Sequence, residues 1–128
     1  MVVFGIGVDI VEIDRIRKAV ERWDERFLQR LFTGKEIAHC LEKRDPAPSL
    51  AARFAAKEAL VKALGRHIPF TDIEILNEPS GKPVISFRAV LPDVGVDHRS
   101  LTAHLTMSHE RQHAVATVLL ERKITGKV

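Results

Sequence analysis

The stretch Leu50-Ala51-Ala52-Arg53-Phe54-Ala55-Ala56-Lys57-Glu58-Ala59-Leu60-Val61-Lys62-Ala63-Leu64-Gly65 governs how the rest of the chain is read. Its Ala and Leu content and its closing Gly predict a well-formed helix with a C-terminal stop. At about 100° per residue, Leu50, Phe54 and Val61 gather on one face and Glu58 falls beside them. A carboxylate among apolar neighbours needs a partner, because an unpaired buried charge costs several kcal/mol or neutralises itself. Two partners are available to the reading: Lys62 one turn later, as an i,i+4 ion pair, or a bound cation.

Working outward, Val2 to Asp9 reads as a buried strand, with Gly5 and Gly7 where another element packs closely. Asp9 stands at its end, where it either serves a site or caps the following helix. That helix is predicted from about Glu12 to at least Trp23, with a pattern that continues to Phe27. Ile13, Ile16, Val20, Trp23 and Phe27 form an apolar stripe, and Arg15, Lys18, Arg22 and Arg26 form a basic one about a third of a turn away. Thr33-Gly34-Lys35-Glu36 matches a capping box and opens a short helix through about Glu42. Asp45-Pro46-Ala47-Pro48-Ser49 breaks the chain before the long helix.

The second half reads as strands. Ile73–Leu76 and Val84–Phe87 flank the turn Glu78-Pro79-Ser80-Gly81-Lys82-Pro83, a hairpin pattern. Leu101, Ala103, Leu105 and Met107 alternate with Thr102, His104, Thr106 and Ser108. A link at His109–Gln112 leads to a strand from Ala114 to Leu120, and Lys123–Val128 is expected to fray. The expected fold is α+β: an antiparallel sheet packed with a long central helix, in one domain spanning 1–128.

Composition narrows the function. The chain has 128 residues, with 20 Lys and Arg against 17 Asp and Glu for a net charge of +3, and its pI is about 9.3. That balance permits an acidic partner without demanding nucleic acid, and no aromatics interleave the basic stripe for base stacking. The single cysteine, Cys40, forms no internal disulfide, and the histidines show no metal-ligand spacing. Met1–Asp9 carries no basic leader and too short an apolar run to span a membrane, so a cytoplasmic location is expected. Asp9 and Glu58, with Lys57 and Lys62 nearby, suggest a hard-cation site, since magnesium is commonly held by one or two carboxylates with waters and phosphates.

Three blocks resemble the holo-acyl-carrier-protein synthases, a 4′-phosphopantetheinyl transferase family. They are Gly5-Ile6-Gly7-Val8-Asp9-Ile10-Val11-Glu12-Ile13, Phe27…Arg30-Leu31-Phe32-Thr33…Glu36 and Arg53-Phe54-Ala55-Ala56-Lys57-Glu58-Ala59…Lys62-Ala63…Gly65. Asp72-Ile73-Glu74-Ile75, Ser80-Gly81-Lys82-Pro83 and Thr106-Met107-Ser108-His109 extend the match over nearly the whole chain. The resemblance implies transfer of the phosphopantetheine arm of coenzyme A to a serine of an acyl carrier protein, in support of fatty acid biosynthesis. It implies that Asp9 and Glu58 bind magnesium, and that Lys62 meets the pyrophosphate. A water on the metal or Glu58 would serve as base. Lys43, Arg44, Pro83, Ser108 and His109 would contact the nucleotide part of coenzyme A. By the same resemblance, Arg15, Lys18, Arg22 and Arg26 would dock the acidic carrier, and the chain would form a homotrimer with sites between subunits.

Two departures stand out: the segment Arg66–Thr71 is shorter than in many relatives, and Thr106 stands where many have Ser. The competing reading is a basic module that binds an acidic protein without catalysis.

Overall fold

The computed structural model describes residues 1–87 and 98–124, with the side chains of Trp23, Asp24 and His98 set aside. The elements run β1 (Val2–Glu12), α1 (Ile13–Leu31), α2 (Gly34–Leu41), α3 (Ala47–Leu64), β2 (Ile73–Asn77), β3 (Pro83–Phe87), β4 (Leu101–His109) and β5 (His113–Arg122). Helices and antiparallel strands are thus mixed as expected, in a three-stranded sheet of order β1-β5-β4 and a separate β2-β3 hairpin.

α3 is the central element. Its residues Leu50, Ala51, Ala55, Ala56, Ala59 and Leu60 are all 0% exposed, so the alanines are small because backbone lies on several sides of them. The helix begins three residues earlier than the proline-rich break implied. Pro46 is the N-cap and Pro48 lies in the first turn, where the missing N–H has no intrahelical partner to lose. It ends at Gly65 with φ 74°, the left-handed conformation that favours glycine.

The approach of α3 to β1 explains the two glycines of that strand. A Cβ on Gly5 would lie 1.9 Å from the Ala63 carbonyl oxygen, and one on Gly7 would lie 2.0 Å from that of Ala59. Only glycine lets the helix backbone lie this close.

β1 corrects the expectation of a buried strand. Gly7 faces α3, whereas Ile6, Val8 and Ile10 on the other face are 64%, 54% and 65% exposed. The register Ile6↔Leu119, Val8↔Thr117 and Ile10↔Val115 places them in one outer layer, joined by His104, Thr106 and Ser108 of β4. Asp9 is also not at the end of the strand, which runs on to Glu12; Glu12 is the N-cap of α1 and makes no side-chain cap. The capping alternative for Asp9 therefore falls.

α1 extends past Phe27 to Leu31. Ile13 and Ile16 are buried and Val20 and Phe27 half-buried, whereas Arg15, Lys18, Arg22 and Arg26 are exposed, so the two stripes separate as read. The capping box is present, with Thr33 Oγ1 accepting from the Glu36 amide at 3.3 Å and Glu36 Oε1 accepting from the Thr33 amide at 2.8 Å. β2 and β3 pair from Ile73↔Phe87 to Asn77↔Pro83. At the C-terminus, the Lys123 amide donates to the Ser100 carbonyl at 3.0 Å, and 125–128 lie outside the described residues.

Candidate active site

α3 presents three charged residues within six positions, and the fold sends them to different places. Lys57 points away from Glu58, about 100° around the helix, and is 0% exposed. Its ammonium donates to Glu36 Oε1 at 2.6 Å, to the Leu31 carbonyl at 2.8 Å and to the Phe70 carbonyl at 2.9 Å. Burial pushes the Lys57 ammonium below the ordinary lysine range, and Glu36 opposes that shift. Glu36 Oε2 also accepts from the Ile75 amide at 2.8 Å. Lys57 is therefore a structural tie between α1, α2, β2 and α3, which corrects its expected place beside a cation site.

Glu58 faces the other way, into a cavity of about 410 Å³ that it shares with Asp9. Ile10, Val11, Ile16, Ala19, Phe27 and Phe54 form its apolar walls, and Arg15 adds a guanidinium to the lining. Asp9 comes from β1 and Glu58 from α3, forty-nine positions apart in the chain, so the cavity unites two motifs that only the fold could bring together. Among the lining residues these two carboxylates are the hard oxygen side-chain donors, the type that holds a small divalent cation.

Lys62 is at the same site but not in the pair expected of it. Its ammonium lies 3.1 Å from Asp9 Oδ1 and 2.9 Å from the Val8 carbonyl oxygen, and no described residue forms a hydrogen bond or ion pair with Glu58. The i,i+4 partnership of Glu58 with Lys62 is thus replaced by a bridge from helix to strand. The Lys62 and Asp9 side chains are 54% and 18% exposed, so the contact opens to solvent.

The remaining sequence candidates lie elsewhere. None of Lys43, Arg44, Pro83, Ser108 and His109 lines the cavity. Lys43 and Arg44 are exposed beyond the end of α2, and Pro83 opens β3. Ser108 and His109 are exposed at the β4 end of the β4–β5 hairpin. Ser108 shares the outer layer of the sheet with Ile10 and Val115. Arg15 belongs to the basic stripe by sequence and to the cavity by structure. The feature missed by sequence reading is the Lys57–Glu36 tie: Glu36 was legible as a cap, but nothing local shows that its carboxylate would be fully buried.

The model of the 4′-phosphopantetheinyl transferase superfamily matches residues 5–118 of this chain. The chain belongs to that superfamily. A holo-[acyl-carrier-protein] synthase of Chlorobium limicola is 48% identical over 121 residues, covering 90% of this chain and 91% of the relative. One of Vibrio atlanticus is 45% identical over 125 residues, covering 94% and 99%. Among solved structures, the holo-(acyl-carrier-protein) synthase of Bacillus anthracis in complex with CoA (3′,5′-ADP) superposes with a TM-score of 0.81 at 32% identity, over 96% of this chain and all of the other. That of Helicobacter pylori in complex with coenzyme A gives 0.77 at 35% identity, over 91% and 99%. The span matched by the superfamily model, residues 5–118, includes Asp9 and Glu58.

Proposed function

We propose that this chain is a magnesium-dependent holo-[acyl-carrier-protein] synthase. It transfers 4′-phosphopantetheine from coenzyme A to a serine of an apo-acyl carrier protein, releasing adenosine 3′,5′-bisphosphate and supplying fatty acid biosynthesis. The observation that carries this reading is the convergence of Asp9 and Glu58 on one cavity, with Lys62 on Asp9 and Arg15 in the wall.

Asp9 and Glu58 would hold the magnesium ion, and the donor set fits: two carboxylates from different elements, one of them without a partner among the described residues. When bound, the ion supplies Lewis-acid polarisation and charge neutralisation at the pyrophosphate. Lys62 sits at the solvent side of the same carboxylate, where its ammonium can meet pyrophosphate oxygens and stabilise charge on the leaving group. Ile16, Ala19, Phe27 and Phe54 offer apolar walls against which the pantetheine arm can lie and exclude water. Glu58 lies in the same cavity as an acceptor for the proton of the attacking serine.

The carrier, which is acidic, approaches the exposed stripe Lys18, Arg22 and Arg26, with Arg15 linking that stripe to the cavity. The chain assembles into a homotrimer, a reading supported by the outer face of the sheet, where Ile6, Val8 and Ile10 form an apolar patch of the kind that marks an interface. Ser108 lies on that face, so a neighbouring subunit can bring Ser108 and the adjacent His109 to this cavity, and Lys43, Arg44 and Pro83 would complete the nucleotide contacts. The chain works in the cytoplasm, a placement supported by its one cysteine, Cys40, which is free and buried. None of the described helices is long and apolar enough to cross a membrane.

Incubation of the pure protein with coenzyme A, magnesium and an apo carrier protein tests the reading. The carrier gains the mass of one phosphopantetheine if it holds. A carrier that binds but gains no mass leaves the non-catalytic basic module. Subunit sharing is tested by refolding inactive Glu58→Ala and His109→Ala chains together: recovered activity requires the two residues to come from different subunits.

A further inference from the structure

The geometry points to Lys62 as a resident substitute cation: its ammonium holds Asp9 in the absence of a divalent ion and gives that carboxylate up when the ion arrives. This rests on the assignment of Asp9 and Glu58 as the metal ligands. Lys62 Nζ occupies two oxygens at 2.9 and 3.1 Å, the Val8 carbonyl and Asp9 Oδ1. Those are the contacts a cation would seek at this point, and Asp9 is one of the two carboxylates available to it. The partner that helix spacing would have given Lys62 is Glu58, yet the ammonium passes it by for the strand. Glu58 is left without a described partner.

The side chain is built for exchange. At 54% exposure, Lys62 can leave Asp9 for solvent at little desolvation cost, unlike Lys57 at 0%. A divalent ion and Lys62 therefore compete for Asp9, and each weakens the other by the same factor. The exchange has a consequence for transfer: the ammonium displaced from Asp9 is set free beside the arriving pyrophosphate, so site loading and phosphate clamping become one event. Without the ion, Lys62 keeps Asp9 neutralised and its position fixed against β1.

The test reads metal binding rather than turnover. Manganese(II) is titrated into coenzyme A-free protein and free ion is measured by electron paramagnetic resonance, for the parent, Lys62→Met and Arg15→Gln. Lys62→Met should bind manganese about two- to fivefold more tightly than the parent, the range that an exposed ion pair supplies. Arg15→Gln, which removes a cavity charge without touching Asp9, should gain clearly less. Equal or weaker binding in Lys62→Met, including no binding in either protein, overturns the inference. So does an equal gain in Arg15→Gln, which would mean a field effect and not competition for Asp9. Adding Asp9→Asn or Glu58→Gln to the Lys62→Met chain should abolish binding. If both double variants still bind, the ion lies elsewhere and the metal assignment itself has failed.

Discussion

Two lysine–carboxylate pairs lie five residues apart on α3 and differ in everything that decides what a charge does. Lys57 and Glu36 are both 0% exposed at 2.6 Å, whereas Lys62 and Asp9 are 54% and 18% exposed at 3.1 Å. In the first pair every donor is satisfied: the ammonium has two carbonyls besides Glu36, and the Glu36 carboxylate also accepts from the Thr33 and Ile75 amides. In the second, one carboxylate oxygen and one carbonyl hold the ammonium at a solvent edge. Charges locked from all sides carry no chemistry because they cannot change partners. Charges held loosely next to a carboxylate that has no partner among the described residues, Glu58, can.

The comparison breaks most visibly at the buried pair. Lys57→Met leaves Glu36 charged and uncompensated in the core, which should cost about 3–5 kcal/mol in denaturant unfolding. Replacing both residues, with Lys57→Met and Glu36→Met, should recover only part of that loss. The Thr33 and Ile75 amides would then lose their acceptor. If Lys57→Met melts like the parent, the pair is not the tie described.

At the exposed pair the sign of the effect reverses: activity changes and stability does not. Lys62→Met should lower kcat by about 10²-fold, the scale of losing one group that stabilises developing charge. The Michaelis constant for coenzyme A should move much less. A drop in melting temperature with kcat unchanged would make Lys62 as structural as Lys57.

Further from the cavity the effect should shrink. Lys18→Glu with Arg26→Glu reverses two exposed charges of α1 that do not line the cavity. The Michaelis constant for the carrier should rise about three- to tenfold at low salt and its salt dependence should flatten, with coenzyme A binding unchanged. An unchanged carrier constant would mean that the stripe is only a solvated face.

The smallest effect belongs to Arg17, which bridges Asp14 and Asp45 at the surface. Its hydrogen bond holds the Asp45 carboxyl below the ordinary aspartate value. A depressed carboxyl stabilises the fold above its unfolded pKa, near pH 4, and loses that contribution as pH falls through the lowered value. Asp45→Asn should therefore leave the melt at pH 7 slightly lower and the acid limb slightly flatter. An identical acid limb in both proteins would show that the bridge contributes nothing.

The sequence made much of this legible because local rules and tertiary packing agree over most of the chain. The long helix, its Gly65 stop, the Thr33–Glu36 box, the hairpin and the alternation of β4 were all readable from spacing. β1 was misread for a definite reason. Its inward positions are Gly5 and Gly7, forced small by the α3 backbone, so the visible apolar residues Ile6, Val8 and Ile10 are the outward ones. The period of two was hidden behind glycine, and the run looked buried on both faces.

Asp9 and Glu58 could each be singled out in the sequence, but neither their meeting in one cavity nor the partners of the lysines could be read from spacing. Helix spacing offers Lys62 to Glu58, and only the placement of β1 shows that Asp9 is the alternative. Glu36 could be named as a cap residue from Thr33, yet its burial depends on β2 and on the chain near Phe70, far along the sequence.

Glu58→Gln decides the matter most directly, because it removes one charge from the cavity and leaves the Lys57–Glu36 tie intact. Carrier modification by mass spectrometry at limiting magnesium is measured beside thermal unfolding of the same preparation. Transfer should fall by about two orders of magnitude or more with the melting temperature essentially unchanged. Near-normal transfer by a folded Glu58→Gln chain would contradict the assignment of this cavity as the site of phosphopantetheine transfer.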